Sequence, residues 1–281
     1  MRRPPTAAVI AAHRLLWWRG RNGPVPPVPP PEPAIQSLSA LEIAYCCVVI
    51  VLFYAARGST GFGGAAAMPL MGLVIPIKLL VPAWTVIGLA AGFTLLGRDR
   101  KHVCWTEMAR LLPSCLVGVG GGLYLFTTLD PAVLTRGLGL VVLLYGLYSL
   151  WCTFRPSRPP PVSSPLLAHA AGALAGVIGT TFGAMASVFF AIYFDMIRLG
   201  KETFRATMTA VLVVFGIVRG LGYVAVGEFG RDVWVLVAVA IPMMLIGIFI
   251  GDRIHTGLSE TAFRRLISAT LVVTGATLAI K

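Results

Sequence analysis

Eight consecutive residues, Arg57-Gly58-Ser59-Thr60-Gly61-Phe62-Gly63-Gly64, place a guanidinium, two hydroxyls and four glycines inside an otherwise apolar run from Ile43 to Ile75. Each glycine costs a helix about 1 kcal/mol relative to alanine, so the stretch predicts a break. In lipid, the backbone groups freed there must face protein, water or a ligand. Half-helix N-termini beside an arginine suit an anion. A thinner copy, Thr180-Thr181-Phe182-Gly183-Ala184, aligns with Thr60-Gly61-Phe62-Gly63-Gly64. The candidate anion-binding residues are Arg57, Thr60, Gly61, Gly63 and Gly64 at the first break and Thr180 and Gly183 at the second. Arg205 and Arg219 are further candidate cations.

Each candidate also has a plainer reading. A charge at the centre of a membrane helix costs about 2.5–3.5 kcal/mol. Arg57 therefore either forks onto an oxyanion or lies near a membrane face and snorkels. Arg219, flanked by apolar Val213–Val218 and Leu221–Val226 with Gly220 and Gly222 beside it, is a candidate for a site or gate role. Arg205 follows Glu202 by three, and an ion pair at a helix start is the simpler account. Gly118, Gly122, Gly247 and Gly251 form two GxxxG pairs, which fit close helix packing. Hydroxyls in membrane helices usually bond their own backbone, so Thr60 and Thr180 count only if a break turns them outward. Asp195 precedes Arg198 by three and is expected to pair with it, with binding of a coupling proton the lesser alternative. His169 reads as a packed or interfacial residue, with a proton relay the lesser alternative.

Enzyme chemistry has no foothold in this pattern. The four histidines are scattered, no HExxH occurs, and no two acidic residues face each other within an apolar span. No cofactor or metal is called for. The five cysteines lie in or beside apolar segments without a CxxC, and read as small buried residues.

The elements that must position these residues are membrane helices. Of 281 residues, 57% are hydrophobic and 12% charged, and mean hydropathy is +0.84. The expected fold is all-α, a polytopic transmembrane bundle of 8–10 segments embedded in the lipid bilayer. The net charge of +12 follows from a positive-inside bias and does not point to nucleic acid. A homodimer is compatible with the sequence but not required by it.

Residues 1–37 read as a basic tail, with seven prolines between Pro24 and Pro33 forming a polyproline II spacer. Repeat 1 occupies 38–154, with apolar segments at 41–57, 58–76, 79–97, 108–127 and 132–152. A polar linker at 155–165 follows. Repeat 2 occupies 166–281, with segments at 166–180, 181–197, 203–226, 233–252 and 260–280. At an offset of 129, Pro113 pairs with Pro242, Gly118 with Gly247, Gly122 with Gly251, Arg136 with Arg265 and Gly146 with Gly275. Such duplication, with an interruption in each copy, points to a transporter. Five crossings per copy would put the basic stretches 98–110, 155–158, 198–205 and 253–265 on one side. Only Lys78, Arg136 and Arg231 would remain in the opposite loops. This favours inverted repeats with an outside C-terminus, although it also puts the basic tail outside.

Arg57-Gly-x-x-Gly-Phe-Gly-Gly64, Met68-Pro69-Leu70, Glu202-x-Phe204-Arg205-Ala206-Thr207 and Val218-Arg219 form an ordered motif set. With Pro242, Gly247, Gly251, Leu258-Ser259 and Phe263-Arg264-Arg265-Leu266, it resembles the TauE/SafE sulfite exporter family over residues 38–280. The resemblance implies a bacterial inner-membrane exporter of sulfite, a sulfonate or a related organic acid. On that reading the anion rests at midplane between the two breaks, with Arg57 and Arg219 supplying positive potential. The thinned second glycine motif and the long tail depart from the family pattern. A passive anion channel and a non-transporting membrane scaffold remain as alternatives.

Overall fold

The computed structural model describes residues 38–60, 67–154, 164–253 and 260–281, with backbone alone at 57–60, 98–100, 153–154, 252 and 260–266. The described residues form ten α-helices and no strand. The first half contributes α1 (Ala40–Thr60), α2 (Ala67–Met71), α3 (Ile77–Asp99), α4 (Trp105–Thr128) and α5 (Pro131–Phe154). The second contributes α6 (Pro165–Phe182), α7 (Ala186–Met196), α8 (Lys201–Ala225), α9 (Arg231–Arg253) and α10 (Glu260–Ile280).

Local chemistry sets several boundaries. A reciprocal capping box opens α1: the Ser39 N–H donates to Glu42 Oε2 at 2.8 Å and the Glu42 N–H to Ser39 Oγ at 3.3 Å. Proline occupies the first position of both α5 and α6, where its missing N–H costs nothing. Two expected boundaries move. α1 continues to Thr60, so Arg57, Gly58, Ser59 and Thr60 are helical; one glycine near a helix end is too small a penalty to stop it. The segment 58–76 is not one span but contains the short helix α2 followed by a turn at 72–75.

Helices α3, α4, α5, α6, α8 and α9 each contain a stretch long and apolar enough to cross a bilayer. Their outer surfaces are apolar as well: Val117 is 79% exposed and Leu166 77%. Such a surface suits lipid, not water. The chain is a polytopic helical membrane protein.

Glycine contacts give the relative directions of the helices. A Cβ on Gly118 would meet Ala173 O, and one on Gly122 would meet Val177 O, so α4 and α6 run parallel. Gly247 lies against Val51 and Gly251 against Ala55, so α9 and α1 also run parallel. Gly92 meets Val213 while Gly216 meets Leu89, which makes α3 and α8 antiparallel. Gly146 meets Val272, Gly275 meets Leu143, and Ser149 Oγ lies 2.8 Å from Ser268 Oγ. α5 and α10 are therefore antiparallel. Gly118, Gly122, Gly247 and Gly251 all serve close helix packing, as their spacing predicted.

Short connections between crossing helices reverse the chain, so α3, α4, α5 and α6 alternate in direction. α8, α9 and α10 alternate likewise. Combined with the contacts above, α1 runs the same way as α3, and α6 the same way as α8. The chain must therefore return between the two helices of each such pair, where the described parts are α2 with the turn at 72–75 and residues 183–200. α7, with 11 residues, is about 16 Å long and cannot cross alone. The α6–α7 turn accordingly lies within the bundle.

Candidate anion site at the second helix break

The chain turns sharply after Phe182. Gly183 has φ +74° and Met185 φ +72°, both left-handed. Glycine takes that conformation without penalty. A buried methionine does not, and costs about 1–3 kcal/mol, a strain typical of functional turns. Gly183 also has no room for a side chain, because a Cβ would lie 2.9 Å from both Met68 Cε and Val81 Cγ2. The break in the second half thus packs on α2 and α3 of the first. Gly183→Ala is expected to lower stability in detergent by about 1–2 kcal/mol, read as a shift in thermal unfolding. An unchanged midpoint would show that the turn relaxes freely.

Arg219 holds this break. It is 6% exposed, and its guanidinium nitrogen Nη1 donates to Gly179 O at 2.6 Å and Gly183 O at 3.3 Å. These are carbonyls that the end of α6 leaves without helical partners. The guanidinium carbon lies 5.0 Å from the centroid of Phe215, one turn earlier on α8. One turn later, the Tyr223 hydroxyl donates to Thr180 O. Thr181 Oγ1 donates to Gly122 O at 3.3 Å, tying α6 to α4.

Among the described residues, two buried polar atoms at this break have no hydrogen-bond partner, Arg219 Nε and Thr180 Oγ1. No described carboxylate forms a salt bridge with Arg219. A charge removed from water without a counter-ion is costly. Here it has backbone oxygens and an aromatic face, and its Nε is free to donate. That set of groups can accept an oxyanion.

The structure separates the other candidates from this cluster. Thr180 and Gly183 belong to it. Arg205, exposed near the start of α8, lies 14 residues before Arg219 on the same helix, about 21 Å away along the axis. Its neighbour Glu202 lies 3.6 Å from His102. His169 is exposed in the first turns of α6, so its interfacial reading fits. For Asp195 and Arg198, the described bond is the Arg198 N–H to the Asp195 carbonyl, 3.1 Å.

Gly61, Gly63 and Gly64 lie outside the described residues, as do the side chains of Arg57 and Thr60. The backbone of Arg57 is nevertheless placed. It follows Ala55, which faces Gly251, two residues before the end of α9. Arg219 is six residues before the end of α8, at the end of the bundle where α9 begins. The two arginines therefore lie in opposite halves of the bundle, Arg57 near one end and Arg219 about 9 Å in from the other, whereas the sequence reading put both around one midplane site.

Phe215, Met185 and Tyr223 were absent from the sequence-based candidates. Phe215 and Tyr223 sit four residues either side of Arg219, a helical-face signal that the sequence does contain. Met185 carries no such signal, since left-handed backbone at a methionine has no sequence marker.

Comparison with known proteins agrees with the membrane architecture. Residues 46–278 match the family model described as sulfite exporter TauE/SafE. A relative from Comamonas testosteroni, "Probable inner membrane transporter protein TsaS", is 27% identical over 65% of this chain and 75% of its own. Another, from Cupriavidus necator, "Probable sulfite/organosulfonate exporter TauE", is 26% identical over 78% of this chain and 86% of its own. No solved structure matches the chain.

Proposed function

This chain belongs to the sulfite exporter TauE/SafE family, and on that premise we propose that it exports a sulfur oxyanion, sulfite or an organosulfonate, by alternating access. It is a multi-pass inner-membrane transporter, not an enzyme. The observation that carries the substrate class is Arg219, a buried guanidinium without a carboxylate partner among the described residues, whose Nε has no hydrogen-bond partner among them.

The helix directions support an inverted repeat. Each helix αn of the first half corresponds to α(n+5). The homologous pairs α3/α8 and α5/α10 run antiparallel, and the α4/α6 pairing is repeated as α9/α1. At an offset of 124, the contact Gly92–Val213 exchanges into Gly216–Leu89. This arrangement places the ends carrying Lys101, Arg198, Lys201 and Arg253 together, and the positive-inside rule makes that side cytoplasmic. Arg57 then stands at the cytoplasmic end and Arg219 toward the outside. The anion enters beside Arg57. Movement of one repeat against the other transfers it to the second break.

Arg57→Gln tests the entry step. Efflux of sulfite and of an organosulfonate from proteoliposomes is expected to fall about tenfold or more, with counterflow lost in proportion. Unchanged efflux would remove Arg57 from the route. Flux without counterflow would favour a channel, and no flux of either anion by the unmodified protein would overturn the export reading.

A further inference from the structure

Lys78 opposes the local rules of its own helix. It is the second residue of α3, at the positive pole of the helix dipole, where a cation is disfavoured. The residue related to it by the 124-residue offset is Glu202, which lies in the first turn of α8 as the dipole favours. Lys78 is half-buried, and no described carboxylate forms a salt bridge with it. Its Nζ donates to Phe126 O in the last turn of α4 and lies 4.6 Å from the centroid of the Phe126 ring. An ammonium has three donors, and the described contacts use one of them on a carbonyl.

A continuous line of contacts leads from this lysine to the break. The Phe126 ring meets Tyr223 edge-on at 5.1 Å. The Tyr223 hydroxyl donates to Thr180 O, and Arg219, one turn back on α8, binds the carbonyls of Gly179 and Gly183. Lys78 is also on the same end of the bundle as the C-terminus, where Lys281 Nζ donates to Leu73 O at 2.9 Å.

We propose that Lys78 is a second anion station, holding the departing oxyanion at the outer end of the route after it leaves the Arg219 break. The inference rests on the export reading above. The two cations suit different tasks. Guanidinium forks hold an oxyanion in a fixed geometry, whereas a strongly hydrated ammonium attracts it as a point charge and lets it go. Passage requires binding that is favourable at each station yet weak enough to leave. Phe126 and Tyr223 form the wall between the stations and position the ammonium.

Lys78→Met keeps the aliphatic stem against Phe126 and removes the charge; Lys78→Arg keeps the charge. Sulfite transport is measured in oriented proteoliposomes, with substrate supplied first from the outer face and then from the cytoplasmic face. The expected result for Lys78→Met is a KM for outer sulfite about tenfold higher, an unchanged KM from the cytoplasmic face, and recovery in Lys78→Arg. If Lys78→Met does not insert, Lys78→Gln serves as the neutral variant. A KM unchanged on both faces, raised equally on both, or not recovered by arginine would overturn the outer station. Absence of sulfite transport by the unmodified protein would overturn the export reading itself, a result distinguishable from all of these.

Discussion

Arg219→Met is expected to reduce anion efflux on the order of a hundredfold or more, because it removes a charge-assisted contact from a buried site. It is also expected to lower stability by about 2–5 kcal/mol. The carbonyls of Gly179 and Gly183 would lose their donor, and each orphaned buried group costs about 1–3 kcal/mol. The two effects are separable with Arg219→Lys. Lysine keeps the charge, so it should retain most of the stability. It cannot fork between two carbonyls and a ligand, so it should recover only part of the transport. Efflux and thermal unfolding in detergent are the measurements. Normal efflux by Arg219→Met would exclude this guanidinium from the substrate route and leave it as a helix cap alone.

Gly176→Val should have the largest structural effect. A Cβ there would lie 2.2 Å from Cys115 O and 2.9 Å from Gly118 Cα, both backbone atoms of α4. Backbone cannot swing aside as a side chain can, so the two parallel helices must separate. Overpacking of this kind costs about 3 kcal/mol or more. The fold would lose the seam on which the α6 end of the break rests. Gly120→Val is the matched control, since nothing lies within 4 Å of its Cβ position. Thermal unfolding and monodispersity in detergent would compare the two. Equal behaviour would show that the α4/α6 contact is not what holds the break in place.

Much of this architecture is visible in the residue order, for physical reasons. Lipid requires long apolar helices, so 57% hydrophobic residues with few charges specify a polytopic bundle. Close helix crossings require glycine, so the GxxxG pairs at 118/122 and 247/251 mark the packing seams. Glycine is also the residue of left-handed backbone, which explains why the second break lies at Gly183, one residue past the end of α6.

Depth and partnership were decided only by the tertiary structure. Periodicity tells which face of a helix a residue occupies, not which neighbour meets it or how far along. Arg57 and Arg219 have similar apolar surroundings in the sequence. They lie in opposite halves of the bundle because α1 runs parallel to α9 while α8 runs antiparallel to α3. The capping of α6 by Arg219 pairs residues 36 and 40 positions apart, and Lys78 reaches Phe126 across 48. Such contacts depend on how whole helices stack, a choice that local propensity does not make.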